Sequence, residues 1–406
     1  MAALVTPRTL KGFRDFFPQE VIKRNYLKQK IVEVFTLYGF EPIETPLLEY
    51  LDTFKGNIGE DEKLFFHFLD HGNRAVALRY DQTVPTCRFI AEHRDEIQFP
   101  FKRYQIQPVY RAEKPQKGRY REFVQCDADI FGVKGPEADA ELIALTIDIY
   151  THLGFKDFVV KINDRALFRK IAYPVIVAID KLAKIGRSGV IEEIVAKGYS
   201  HSEAKNMLDE VLRMQPNDTL NTIFSYLKNA GFSQDHYQFD PSLARSFSYS
   251  TGPIWEVTIA GFDQGSVLGG ERFDKLVGRF QKEDIPGTGF GLGFPRTFEA
   301  MEQFGLFPAS LHSVPRVMVS IFSPLYVSSS VRVASQLRES SIATEVYPDT
   351  THDLSRQLKY AVKKGIEYVI IIGEEEEKSH AVTVKELATR TQHSVQHNKL
   401  VEFFLK

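Results

Sequence analysis

Tyr110-Arg111-Ala112-Glu113-Lys114-Pro115-Gln116-Lys117-Gly118-Arg119-Tyr120-Arg121-Glu122-Phe123, continued by Val124-Gln125-Cys126-Asp127-Ala128-Asp129-Ile130-Phe131, is the stretch on which the fold turns. Its first part sets five cations around Pro115 and Gly118, residues that favour a loop over a regular element. Its second part alternates. Gln125, Asp127 and Asp129 point to one side of a strand, and Cys126, Ala128 and Ile130 to the other. The preceding Phe101–Arg111 reads as its partner strand, so the cations occupy the tip between paired strands. Arginine forks match phosphate oxygens bidentately, so such a tip suits a polyanion held against a rigid sheet. The polar strand face suits a ligand that offers N–H donors, because a carboxylate only accepts. A solvated hairpin tip and an exposed sheet face are the alternatives that pattern alone leaves open.

Outward from this centre, Glu20–Tyr38 has apolar residues near helical spacing, with Pro18 before it and Gly39 after it. Phe40–Thr45 is short and extended. Leu64–Leu69 and Ala75–Arg79 read as strands joined through Asp70-His71-Gly72-Asn73. Residues 136–154 form a helix and Phe158–Ile162 a strand. From Asp164 to about Ala230 the pattern is helical and polar, broken at Gly198 and Pro216, which suggests an inserted helical subdomain. Strands return at Ser246–Ile259 and Ser266–Leu268, and a Gly-spaced run, Gly287–Phe294, leads into a helix from Pro295. Beyond a linker from Pro308 to Pro315 come a strand (Arg316–Ile321), a helix (Leu325–Arg338), a strand (Thr344–Tyr347), a helix (Leu354–Gly365) and a strand (Tyr368–Ile372). That βαβαβ order implies a small α/β domain with a largely parallel sheet. The acidic run Glu374–Glu377 reads as a solvated turn.

At 406 residues the chain exceeds what one hydrophobic core organises, so two or three domains are expected. Its 51 Lys and Arg against 53 Asp and Glu exclude a generally basic nucleic-acid coat, so any RNA contact must come from local patches. Arg356, Lys359, Lys363 and Lys364, with Lys385 and Arg390 further on, form one candidate patch; a plain dimerisation module is the other reading of that domain. Cys87 and Cys126, far apart in sequence, suggest reduced thiols in a cytoplasmic protein rather than a disulfide framework or a zinc site. The 11 histidines lack ligand spacing, so no metal site is expected. No apolar run approaches the roughly 20 residues of a membrane span, and Met1–Arg14 lacks a secretory pattern.

Several segments resemble a known family. Arg111 to Gly132 resembles motif 2 of class II aminoacyl-tRNA synthetases in its histidyl form, and Leu78-Arg79-Tyr80-Asp81-Gln82-Thr83 is similar to that family's amino-acid-binding segment. Pro46 stands where motif 1 carries its proline. Arg245-Ser246-Phe247-Ser248-Tyr249-Ser250-Thr251-Gly252 and Gly269-Gly270-Glu271-Arg272-Phe273-Asp274 resemble the two histidyl signatures, and Gly289–Arg296 resembles motif 3. The insertion around Ala178–Gly186 and the C-terminal α/β domain are familial as well. The Gly-rich run 287–293 alone would suggest a nucleotide fingerprint; it is the ordered set, covering nearly the whole chain, that is specific.

The resemblance implies an α+β class II catalytic core, an antiparallel sheet flanked by helices, over residues 1–312. It implies a helical insertion at about 165–232 and an anticodon-binding-type α/β domain at 313–406. The implied activity is ATP-dependent ligation of L-histidine to tRNA(His), with Mg2+ carried on the ATP, by a cytoplasmic homodimer. Arg111, Arg245 and Arg296 are the implied catalytic residues. ATP would also meet Glu113 at the adenine amino group, Phe123 at the ring and Arg119 at the terminal phosphates. Histidine would meet Asp81, Thr83 and Gln125 at its α-amino group, Asp129 at its imidazole, and Tyr249. Gln116 and Lys117 would touch the tRNA acceptor end.

The chain departs from the family pattern at the histidine end. Where the signature has an aspartate and two tyrosines, Ser248-Tyr249-Ser250 stands, and the second tyrosine is the one that contacts the imidazole. Glu271 replaces a glycine, Phe273 a tyrosine, and Pro295 the glutamate before the motif 3 arginine. Two explanations stay open. Either water or a neighbouring side chain replaces the tyrosine hydroxyls in a working enzyme, or the chain is a non-catalytic paralogue that senses histidine or tRNA.

Overall fold

Helix α1 (Pro18–Leu37) opens on a proline, whose absent N–H is one of the helix's unbonded donors anyway, and closes before Gly39 at φ 72°. It buries Leu27, Ile31, Val34 and Phe35. The structure is a computed structural model describing residues 4–55, 65–114, 120–245, 249–311 and 314–405. It divides into two units, Met1–Phe307 and Pro308–Lys406.

In the first unit α1 is followed by β1 (Glu41–Pro42), β2 (Leu48–Tyr50), β3 (His67–Leu69), β4 (Ala75–Leu78) and α2 (Thr83–Glu92). Next come β5 (Phe101–Tyr110), β6 (Glu122–Phe131), α3 (Glu137–His152) and β7 (Phe158–Asp164). Four helices follow: α4 (Tyr173–Ile179), α5 (Leu182–Val195), α6 (His201–Leu212) and α7 (Asp218–Asn229). The unit ends with β8 (Tyr237–Phe239), β9 (Pro253–Ile259), β10 (Leu268–Arg272), β11 (Gly287–Gly293) and α8 (Phe294–Gln303). Eight strands form one sheet in the order β1-β5-β6-β11-β10-β9-β7-β8, while β2, β4 and β3 make a separate small sheet. Pairing is antiparallel throughout except at the outer pairs β1/β5 and β7/β8.

The sheet separates the unit's core from its cavity. Cys126, Ala128 and Ile130 of β6, Phe290 and Leu292 of β11 and Trp255 of β9 all face the helices, where they join the apolar faces of α1, α3 and α8. The expected alternation along β6 holds, and its polar face is not solvent: Asp127 and Asp129 are each only 2% exposed. Helix α7 adds Leu220, Ile223 and Leu227 to this same core, whereas α4, α5 and α6 pack on a cluster of their own around Val175, Ile179, Val190 and Leu208. Helical character alone did not distinguish these two destinations.

Two segments of this unit differ from the sequence expectation or go beyond it. The expected strand Ser246–Ile259 begins only at Pro253 (Ser246–Ser248 lie outside the described residues), because Thr251 instead turns to donate its N–H to the Arg272 carbonyl at 2.8 Å. The Gly-spaced run is itself the central strand β11: its apolar residues alternate into the core while its glycines face the cavity.

The second unit comprises β12 (Val317–Val319), α9 (Val327–Glu339), β13 (Thr344–Val346), α10 (Leu354–Lys364) and β14 (Tyr368–Ile371). It ends with α11 (Glu374–Ser379), β15 (Ala381–Glu386), β16 (Gln392–Gln396) and α12 (Leu400–Leu405). Its sheet runs β13-β12-β14-β15-β16, parallel across the first three strands and antiparallel beyond. It is therefore mixed, not largely parallel. Asp353 caps α10 by accepting the Arg356 N–H at 2.8 Å, and Gly365 ends it at φ 81°. Glu374–Glu377 is not a turn but the first turn of α11, where acids complement the positive end of the helix dipole.

Candidate active site

Register builds the cavity floor. Across four strands one row runs Arg103 (β5), Asp129 (β6), Gly289 (β11) and Glu271 (β10). The next runs Gln105, Asp127, Gly291 and Gly269, and a third Gln107, Gln125 and Gly293. Directly paired residues share a face, so these side chains stand together on the side away from the helices. The glycines keep that face hollow. A Cβ on Gly289 would overlap the Asp129 carboxylate, and one on Gly269 would overlap the Arg245 guanidinium. The result is a cavity of about 360 Å³.

Its walls come from distant parts of the chain. Asp81 and Thr83 enter at the start of α2, where Asp81 Oδ1 accepts the Val84 N–H at 3.2 Å. The neighbouring Gln82 donates to the carbonyls of Gln107 (2.8 Å) and Gln125 (3.1 Å), fixing α2 to the floor strands. Arg79 lies fully buried below, donating to Pro108, Thr45 and Gln107 at 2.8–2.9 Å. Arg111 extends from the end of β5 with its guanidinium 4.4 Å from the Tyr80 ring and 5.1 Å from that of Phe123. Both contacts lie within cation–π range and hold the fork in place. Arg296, in the first turn of α8, donates to the Ser266 carbonyl at 2.8 Å. Pro295 beside it sits comfortably in that turn. Arg245 reaches Glu271 at 3.4 Å and Glu256 at 3.5 Å.

The electrostatics are those of carboxyls taken out of water. Burial pushes Asp127 well above the usual carboxylate range and raises Asp81 as well. Asp129 is pushed up to about 6 by burial, against the lowering pull of Arg103. Arg103 and Asp129 form an ion pair inside the sheet, with the guanidinium fully buried. Burial opposes the charge on Arg245, but Glu271 and Glu256 outweigh it and hold the guanidinium above its ordinary value. Ser250 donates its hydroxyl to Glu271 Oε2, so two of the departures from the family pattern contact each other. A cationic amine or ring would relieve the buried acids, and a polyanion would meet the arginines.

Asp81, Thr83, Arg111, Glu113, Phe123, Gln125, Asp129, Arg245, Tyr249 and Arg296 all line this one cavity. Arg119, Gln116 and Lys117 lie outside the described residues. Sequence reasoning missed Arg103 and Tyr80, and noted Glu271 only as a departure. Arg103 was findable, since Arg103, Gln105 and Gln107 alternate on β5 as the polar residues do on β6. Glu271 lines the cavity only because β10 and β11 pair in this register, which no local pattern reveals. Among the described residues, no group of three or more His, Cys, Asp or Glu side chains is placed to hold a metal.

An antiparallel sheet backed by helices carries arginines from three chain segments over its open face, the arrangement that the resemblance to class II aminoacyl-tRNA synthetases implies. The family model described as Histidyl-tRNA synthetase matches residues 12–188 and 190–296, and that of an Anticodon binding domain matches 316–406. The chain is 36% identical to a histidine–tRNA ligase of Cytophaga hutchinsonii, over 97% of this chain and 98% of that protein. It is 38% identical to one of Rhodopirellula baltica, over 97% and 96%. A solved histidyl-tRNA synthetase from a Nostoc species superposes with TM-score 0.84 at 27% identity, covering 99% of each chain. The chain belongs to the histidyl-tRNA synthetase family. A Bacillus halodurans structure titled as an ATP phosphoribosyltransferase regulatory subunit/histidyl-tRNA synthetase shares the fold, with TM-score 0.74 at 22% identity.

Proposed function

We infer that this chain ligates L-histidine to tRNA(His) in two steps, through a histidyl-adenylate. The observation that carries this reading is the convergence of Arg111, Arg245 and Arg296, from three separate segments of the chain, on a cavity floored by Gln125 and Asp129. In the first step the histidine carboxylate attacks the α-phosphorus of ATP in line and pyrophosphate leaves. The nucleophile is already anionic, so the site must supply position and countercharge rather than a base. Arg111 binds the α-phosphate and the amino-acid carboxylate, its fork preset by Tyr80 and Phe123. Arg245 steadies the α-phosphate during attack, and Arg296 holds a phosphate from the other side. Mg2+ arrives with the ATP as part of the substrate.

Glu113 meets the adenine amino group, Phe123 stacks on the ring and Arg119 reaches the terminal phosphates. Asp81, Thr83 and Gln125 receive the α-amino group, Tyr249 borders it, and Asp129 takes the imidazole. In the second step the terminal ribose hydroxyl of the tRNA attacks the activated carbonyl, with Gln116 and Lys117 at the acceptor end. Arg356, Lys359 and Lys363, exposed along α10, offer a basic face to the anticodon region; Lys364 of that tract is committed to Glu345. No helix among the described residues is long and apolar enough to cross a membrane. A cytoplasmic homodimer, each chain with a catalytic domain over residues 1–312 and an anticodon-binding domain over 313–406, completes the proposal.

The test is ATP–pyrophosphate exchange dependent on histidine. Exchange by the folded protein supports the enzyme. Its absence at saturating histidine and ATP, with histidine or tRNA still bound, would instead support the sensing paralogue.

A further inference from the structure

Glu271 and Asp129 occupy the same register row, one on each side of Gly289. Strands two apart in a sheet are separated by roughly 10 Å, and both side chains stand on the same face. With no side chain on Gly289, the Asp129 carboxylate lies over it, where a Cβ would overlap it, and both carboxylates line the cavity. Glu271 is 6% exposed and held from two sides: Oε2 accepts the Ser250 hydroxyl, and Oε1 lies 3.4 Å from Arg245. Each carboxylate oxygen has two acceptor sites, so both retain capacity toward the cavity.

We propose that Glu271 is a specificity-determining residue of the amino-acid pocket, accepting one imidazole N–H of the substrate while Asp129 accepts the other. The inference rests on the reading of the chain as a histidine-activating enzyme. A neutral imidazole has one N–H and one bare nitrogen, and only the protonated ring has two donors. Two acceptor-only groups facing one ring therefore select histidine with a doubly protonated ring. The other charged or titratable groups around Glu271 are Arg245, Arg165, Tyr249 and Asp81. In the mechanism above Arg245 serves the α-phosphate, which leaves the ring to the two acids.

The experiment compares histidine with 1,2,4-triazolylalanine, a histidine isostere whose ring stays unprotonated near neutral pH, in exchange assays on the full chain. The wild type is expected to prefer histidine strongly. Glu271→Gln replaces an acceptor with a group that also donates, which serves a bare ring nitrogen. Its KM for histidine is expected to rise about 10- to 100-fold, as for loss of a charge-assisted hydrogen bond. The preference for histidine over the triazole should fall at least tenfold. A merely structural role would move both amino acids together and leave that ratio in place. Ser250→Ala, which releases the Glu271 tether, should move the ratio the same way by a smaller factor. A ratio in Glu271→Gln within twofold of wild type overturns the inference. So does a wild type that uses the triazole as readily as histidine, a result that needs no variant to fold. Wild-type protein that is folded yet activates neither amino acid overturns the underlying reading, and the inference with it.

Discussion

Replacing Arg272 by methionine should destabilise the first unit by about 3–5 kcal/mol, because it strands a buried carboxylate. Arg272 donates to Asp139 through Nε (3.0 and 3.3 Å) and Nη2 (2.6 Å), and to the carbonyls of Val133 (3.1 Å) and Gly135 (2.8 Å). Asp139 has no exposure, and after the change its remaining hydrogen-bond partner among the described residues is the Thr288 hydroxyl at 2.6 Å. Adding Asp139→Asn removes the charge that was stranded, so the double variant should recover most of the loss. Trp255 provides the assay. It is the single tryptophan, fully buried beside β10, and its fluorescence during urea unfolding reports the first unit alone. The pH dependence follows from the sign of the shift. Burial pushes the Asp139 carboxyl up to about 6 despite Arg272, above the unfolded value of roughly 3.9. The native state therefore holds this proton more tightly than the unfolded state, and this group's contribution to stability is lost as pH rises through that window. Without Arg272 the folded value climbs further, so the deficit of Arg272→Met should widen from pH 5 to pH 8. A loss under about 1 kcal/mol, or a double variant no more stable than the single, would refute the reasoning.

Arg245→Ala should abolish histidine-dependent exchange while ATP still binds in a fluorescence titration; retained turnover would place the chemistry elsewhere. Gly289→Ala puts a methyl group into the Asp129 carboxylate, and should raise KM for histidine at least ~10-fold while KM for ATP moves less, as read from the same exchange assay. Burial holds both thiols, Cys87 and Cys126, well above their ordinary range. Neither should react with a thiol reagent at pH 8 until the protein is unfolded; rapid labelling of native protein would contradict that packing. Reversing Arg356, Lys359 and Lys363 to glutamate should weaken tRNA charging and flatten its salt dependence without changing exchange, and equal loss of both would argue against an RNA-facing role for α10.

Much of the fold was legible because hydrophobic periodicity is local. The alternation along β6 already placed Gln125, Asp127 and Asp129 on one face, and the Pro-to-Gly frame already bounded α1. The second unit was less complete. Its first three strands stand where the pattern put them, but β15, β16, α11 and α12 went unread, and the antiparallel half of that sheet with them. The four acids of α11 look like a solvated turn until the Gly373 N–H is seen to find Glu376 at 2.9 Å. Arg245 was identified as an isolated signature residue, yet the groups that hold it, Glu256 and Glu271, belong to strands 11 and 26 residues further on.

By itself the sequence determined the family and the arginine and carboxylate chemistry of the motif 2 stretch, because these depend on residue type and spacing along the chain. Only the tertiary structure decided what surrounds that stretch. Strand register put Arg103 beside Asp129 and brought Glu271 onto the same face, in the same row beyond Gly289. Ser250 and Glu271, which read singly as losses from the histidine signature, became one hydrogen-bonded pair. The reason is physical: pairing of β6 with β11 joins residues more than a hundred positions apart, and no one-dimensional pattern carries that distance.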